Sequence, residues 1–416
     1  MKNEDLDILV VFPVHFHSVR DVAIGFNNGF ESCGSRVKVF DVAKTHQFFK
    51  SVFNNFPKDI KSSITVQMDK NKAISDEVLR IGKEYRNKSK EELAMECLTW
   101  SVITSGLIDH IMMSFSCRDN PKRKKPADVV FVVDGRDIDV SRIKVISEQT
   151  QVVTALYLTD EPYDNDRSRN IYAPVYDVVF LNDRSTLNMF DKNKSVHYLP
   201  VGFDSRIRAG FPAQKKYDLS FVGTFTKERA DMFNSMQDFL ETKKTFFAGL
   251  FPGSSEMGKF KDFVTDKDSW IIKKMIEAGN IRDVPISETS KIYCKSKIVL
   301  NLHRDSAWIF NQGKDKIIAE SLNPRTYEVA ASGVFQLVDS SRKELREKFT
   351  EDEMVTFDSV EDLKRKIDYY LENPDEAKKI AMNAKRRVMS EHTYTHRAKD
   401  ALNVLTNFID ERSKVS

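Results

Sequence analysis

Six short, nearly continuous apolar runs divide the first half of the chain, and each stops at Asp, Gly or Pro. They are DILVVFPV (7–14), RVKVFDV (36–42), ADVVFVVDG (127–135), VVTALYLTD (152–160), YDVVFLND (176–183) and SVHYLPVG (195–202). A strand that faces water on one side alternates apolar and polar residues; one covered on both faces does not. These runs therefore predict a parallel sheet with helices on both sides. Between the first two, VRDVAIGFNNGFES (19–32) has apolar residues at helical spacing, which gives a βαβ opening.

The pattern restarts with YDLSFVGTF (217–225), a predicted helix at about 227–241, KTFFAGL (244–250) and SKIVLNLH (296–303). A helix is expected over KDKIIAESL (314–322), broken at Pro324, and RTYEVAASG (325–333) then leads into the strand VFQLVD (334–339). DEMVTFDS (352–359) is a further strand, and helices punctuated by Asn373-Pro374 fill 361–392. At 416 residues the chain exceeds one ordinary core. The expected fold class is α/β, with two Rossmann-like doubly wound domains facing a cleft. The expected divisions are 1–208 as the N-terminal acceptor domain, with a helical insertion at about 44–120, 209–390 as the donor-binding domain, and 391–416 as a helix packing back across the cleft.

Composition narrows the setting. With 41% hydrophobic and 31% charged residues the chain is globular. No apolar run nears the roughly 18 residues of a spanning helix, so no membrane span is expected. The acidic start MKNEDLDILVVF is unlike a secretory leader, and Cys33, Cys97, Cys117 and Cys294 lie too far apart for a zinc motif. A cytoplasmic protein with reduced thiols is expected. The net charge of +3 gives little non-specific grip on nucleic acid, and the basic run Lys122-Arg123-Lys124-Lys125, bracketed by prolines, reads as a solvated loop.

The stretch ESLNPRTYEVAASGVFQLVD (320–339) carries the most chemistry. Pro324 suits a helix start because its missing N–H would be orphaned there anyway. Arg325 then stands at the positive helix end as a fixed cation, and Glu328 one turn on can accept hydrogen bonds from two ribose hydroxyls. Ala330, Ala331, Ser332 and Gly333 allow close packing on a sheet, with Gly333 as C-cap. The competing reading is an ordinary capped amphipathic helix whose glutamate interacts with the macrodipole.

This stretch resembles the donor-binding signature of GT-B glycosyltransferases, in particular the spore-maturation-protein (CgeB-like) branch with its glycosyl transferase family 1-like C-terminal domain. Its pattern runs N-x-R-x-[FY]-E-x-x-A-x-G. ADVVFVVDG, LYLTDEPYD (156–164), YLPVGFD (198–204), YDLSFVGTFTKER (217–229), SKIYCKSKIVLNLHRD (290–305) and EHTYTHRAKDAL (391–402) fit the same branch in order and spacing. Coverage runs from about 127 to 405.

The resemblance implies a transferase that moves a sugar from a nucleotide-diphosphate sugar to a hydroxyl acceptor, which would be a polysaccharide, a protein, a small molecule or modified DNA. It implies neither a cofactor nor a required metal. Asp160-Glu161 lacks the D-x-D spacing of a metal site. Asn323, Arg325, Tyr327 and Glu328 would bind the donor, and Glu320 completes the E-x7-E spacing of retaining GT-B enzymes. Gly223 and Thr224 would admit the phosphates, with Lys227 and Arg229 neutralising them, or else these two merely start an exposed helix. His303, at a strand end, would touch the sugar or base. Asp160 is the first choice to orient or deprotonate the acceptor, against a plain helix-capping role. His15 and His17 occupy the first βα loop, where related transferases carry a functional histidine, although the glycine-rich form of that loop is missing. His396 and Arg397 read as structural. A retaining, metal-independent reaction is expected, and since no residue announces itself as a covalent nucleophile, retention would proceed by a front-face mechanism. The alternatives are a DNA-modifying glycosyltransferase acting on a hydroxylated base and a non-catalytic sugar-nucleotide-binding protein.

Overall fold

The computed structural model describes residues 6–13, 17–70, 89–114, 127–136, 138, 140–149, 152–192, 194–207, 210–251, 269–304 and 317–415. In the first half β1 (Asp7–Phe12), β2 (Arg36–Asp41), β3 (Val129–Val133), β4 (Val153–Leu158), β5 (Val178–Leu181) and β6 (Ser195–Tyr198) form one sheet in the order β2-β1-β3-β4-β5-β6. Every pairing is parallel. The uninterrupted apolar runs are the reason. Every residue of β1, β3, β4 and β5 is buried, whereas the edge strands β2 and β6 are half-exposed.

The second sheet holds β7 (Tyr217–Val222), β8 (Thr245–Ala248), β9 (Ser296–Asn301), β10 (Phe335–Asp339) and β11 (Val355–Phe357) in the order β11-β10-β9-β7-β8, again all parallel. Two parallel sheets, each flanked by helices, make the architecture that the apolar runs predict. Helices Val42–Asn54, Lys58–Lys70 and Lys90–Ser114 stand between β2 and β3, and Phe53, Ala94 and Met95 give them a small core of their own. Cys117 and the basic run 122–125 lie outside the described residues. Among the described residues no helix is long and apolar enough to cross a membrane.

Two helix expectations need correction. Of KDKIIAESL, residues 317–322 are not helical. Their backbone N–H groups bond to side chains instead of to the preceding turn: Glu320 (3.1 Å) and Ser321 (2.9 Å) donate to the Asp183 carboxylate, and Leu322 donates to Glu344 (3.2 Å). The helix begins only at Pro324 and runs to Ala331. The segment 227–241 is two helices, Lys227–Ser235 and Gln237–Glu241, parted where Met236 turns into the core.

The last helix, Tyr394–Val415, lies against His17–Ser32 on the first sheet. Two glycines one turn apart make the approach possible: a Cβ on Gly25 would stand 2.2 Å from the Tyr394 ring, and one on Gly29 would stand 2.4 Å from the Tyr394 carbonyl. Phe26, Phe30, Ala398, Leu402 and Leu405 join the strand side chains in that layer.

Candidate active site

The C-terminal ends of both sheets open onto one cavity of about 350 Å³. In doubly wound folds this is where ligands bind, because the loops leave the strands there and helix N-termini point inward.

Helix Pro324–Ala331 supplies one wall. Asn323 is its N-cap: its Oδ1 accepts from the Thr326 N–H (3.0 Å), while its Nδ2 donates to Asn301 (2.9 Å). The cap is therefore an asparagine. Glu328 stands more than a turn inside, on the cavity wall, which disfavours the macrodipole reading. Arg325 spreads its guanidinium over the Phe221 ring, 5.1 Å from the centroid. Gly223 permits this, since a Cβ there would come within 2.2 Å of Arg325 Nη2. Gly333 ends the helix with φ +67°, as a C-cap glycine does.

Tyr327 and Glu320, both expected to bind the donor, do not reach the cavity. Tyr327 is fully buried beneath the helix, its ring beside Phe349 (6.1 Å) and His392 (5.4 Å). A side chain two positions from Arg325 points to the opposite face of a helix, so it packs the core. Glu320, outside any helix, pairs with Arg184 (2.9 Å) and Lys343 (3.3 Å) at the rim. Eight positions place two side chains on one helix face only if the helix is continuous, and here it is not.

The cations divide similarly. Arg229 is buried in the wall, donating to the carbonyls of Thr224 (2.7 Å) and Leu302 (2.6 Å). Burial, with Arg325 and Arg304 nearby, pulls its guanidinium down to about 9. Lys227 instead faces solvent in an ion pair with Asp231 (2.5 Å), as an exposed helix start would have it. Three arginines on the cavity, Arg136, Arg304 and Arg342, escape the sequence reading. A signal for them exists: each stands three residues past the end of its strand, β3, β9 and β10 respectively. Arg342 donates to the Tyr163 hydroxyl (3.0 Å), and Arg304 lies over the Tyr163 ring at 4.6 Å. Among the described residues Arg229, Arg325 and Arg342 have no carboxylate within ion-pair distance.

His303 is buried on the cavity wall with Nδ1 3.0 Å from Asp339, and its Nε2 has no partner among the described residues. Burial lowers the imidazole's pKa despite Asp339. The neutral tautomer with its proton on Nδ1 leaves Nε2 as a lone-pair acceptor. Asp160, at the end of β4, meets Arg136 (2.9 Å) and Arg304 (3.6 Å). Burial would raise its carboxyl, but the two arginines hold it below the usual carboxylate range. That makes it a steady hydrogen-bond acceptor and a weak base. Its neighbour Glu161 is buried deeper: Oε2 accepts from Asn165 (2.8 Å) and Thr186 (2.8 Å), while Oε1 has no partner among the described residues. His15 lies outside the described residues. His17 opens the helix His17–Ser32, and its side chain is likewise outside them. His396 accepts from Thr393, and Arg397 donates to the Val201 carbonyl (3.1 Å), both as structural ties. Among the described residues no group of three or more His, Cys, Asp or Glu is arranged to hold a metal ion.

Desolvation in the wall pushes the Glu328 carboxyl up to about 7, with Arg325 opposing and Asp21 adding to the rise. Between its ordinary 4.5 and about 7, the native state keeps a proton that the unfolded chain has lost, so stability falls as pH rises through that window. Glu328→Gln removes the effect. The variant should melt several degrees above the parent at roughly pH 8 and match it at roughly pH 4, as thermal unfolding would show.

Residues 265–403 match a family model described as glycosyl transferase-like. The chain is 22% identical over 233 residues to the spore protein CgeB of Bacillus subtilis, covering 54% of this chain and 67% of that protein. Among solved structures it is similar to an alpha-glucosyltransferase in complex with UDP and a 13-mer DNA (TM-score 0.57, 12% identity, 97% of this chain and 99% of that one). It is also similar to sucrose-phosphate synthase from Thermosynechococcus elongatus (0.55, 8%, 97% and 100%) and to Anabaena HepE in complex with UDP and glucose (0.54, 10%, 96% and 99%). The chain thus has the two-domain GT-B fold of these structures, with a weak sequence relation to CgeB and to glycosyl transferase-like proteins.

Proposed function

We propose that the protein transfers a glycosyl group from a nucleotide-diphosphate sugar to an acceptor hydroxyl, with retention of configuration and without a metal. The observation that carries this is the set Arg229, Arg325 and Arg342, cations without carboxylate partners among the described residues, beside Glu328 on one cavity wall. A buried cation without a counter-charge is costly, and an anionic diphosphate would supply one. Glu328 would take the ribose hydroxyls, and the chain crossing Gly223 and Thr224 would admit the phosphates.

In the reaction the bond from the anomeric carbon to the diphosphate oxygen breaks, and its electron pair goes to the diphosphate, where the arginines stabilise the growing charge. The acceptor oxygen bonds to the anomeric carbon on the face the diphosphate leaves, and its proton passes to the departing phosphate oxygen. Asp160, too weak a base to take that proton, orients the hydroxyl, and His303 Nε2 accepts from a sugar hydroxyl. The CgeB-like branch, supported by the ordered motifs and the CgeB match, remains part of this proposal.

The test is a thermal-shift panel of UDP, GDP and TDP and their glucose conjugates, followed by measurement of nucleotide release. A ligand at 100 times its Kd should stabilise the native state by about 2.7 kcal/mol, a rise of several degrees. Failure of every nucleotide to bind rejects the reading. Binding without release would reassign the chain as a sugar-nucleotide-binding protein, and inversion seen by NMR of the product would remove retention.

A further inference from the structure

The cavity has two chemically different walls. Among the described lining residues the second half contributes five arginines against Asp283 and Glu328, whereas the first contributes Asp21, Asp160, Glu161 and Asp183. Among the described lining residues of the first half the sole cation is Arg136, and Asp134 (2.8 Å) and Asp160 (2.9 Å) neutralise it. From this asymmetry we infer that the acceptor is a carbohydrate, uncharged or amine-bearing, and that Glu161 is its specificity-determining contact. The inference rests on the donor reading above and adds the class of acceptor.

Three points support it. A phosphodiester chain needs cations along its path, and this wall offers carboxylates, which repel phosphate. An apolar acceptor would leave Glu161 Oε1 buried and unpaired, at the full desolvation cost of that group. A hydroxyl suits the site best because it both donates and accepts: it pairs with Glu161 whether the carboxyl is ionised or protonated, and burial raises the proton affinity of that group. Oε2 is fixed by Asn165 and Thr186, and the Glu161 N–H donates to Asn182 (3.0 Å), so the carboxyl is held in place before an acceptor arrives.

The experiment uses the whole chain with the donor that gives the largest thermal shift, and follows nucleotide release with glucose, cellobiose, glucosamine, an alkyl alcohol, or duplex DNA carrying a hydroxymethylated base. The sugars should accelerate release, and the alcohol and DNA should not. In Glu161→Gln the acceptor KM should rise about tenfold, with nucleotide Kd within about twofold of the parent. Donor binding with turnover stimulated by DNA or the alcohol, or by no sugar, overturns the acceptor inference alone. An unchanged acceptor KM in Glu161→Gln, or a loss of nucleotide affinity there, overturns the role of Glu161. Absence of any nucleotide binding removes this inference and the donor reading together. The panel on the unaltered chain decides the acceptor class even if the variant fails to fold.

Discussion

Arg325→Ala is expected to weaken nucleoside diphosphate binding about 100-fold while leaving the melting temperature close to that of the parent. A charge-assisted hydrogen bond to an ionised group contributes roughly 1.5–3 kcal/mol, and about 2.7 kcal/mol corresponds to that factor. The stability of the variant follows from the same geometry. Arg325 lies over Phe221 with its Nε buried and unpartnered among the described residues, so the relief of a partly buried charge offsets the lost ring contact and the lost attraction to Glu328. Calorimetric titration with UDP and GDP beside a thermal melt separates the two effects. Arg325→Lys should recover only part of the affinity, because an ammonium lacks the planar fork that meets two phosphate oxygens. Affinity within threefold of the parent in Arg325→Ala would mean that the anion sits elsewhere.

Gly249→Ala should do the reverse, unfolding the donor wall itself. A Cβ there would stand 1.9 Å from the Gly223 carbonyl oxygen and 2.7 Å from its carbon, and the residue has φ +146°. Backbone cannot swing aside as a side chain does. Strain of 1–3 kcal/mol and a clash of similar size combine to about 4 kcal/mol, or about 10 °C in the melting temperature. Gly223→Ala is the contrast, since its Cβ meets the movable end of Arg325. That variant should lose less stability and more nucleotide affinity. Equal melting losses in the two variants would show that the packing of these loops is not what separates them.

The strands were legible because a parallel sheet buried on both faces leaves unbroken apolar runs, and β1, β3, β4 and β5 are such strands. The helix at Pro324 was legible because Asn, Pro and Gly mark its ends chemically. Residues 317–322 were misread because their bonds go to Asp183 and Glu344, far along the chain, and local periodicity carries no trace of such partners. The same blindness applies to facing: Lys227 and Arg229 are two residues apart, yet one pairs with Asp231 in solvent and the other is buried in the wall. Arg136, Arg304 and Arg342 were discoverable from their offset to the strand ends, a positional rule that asks where a residue emerges from the sheet.

The docking of Tyr394–Val415 on His17–Ser32 bears on how the molecule is made. Translation delivers Phe26 and Phe30 well before the residues of Tyr394–Val415 that shield them, so the nascent N-terminal half emerges with that apolar layer bare. Completion of the first sheet's layer therefore waits until Tyr394–Val415 has been made, and until then the growing polypeptide presents a surface suited to chaperone capture.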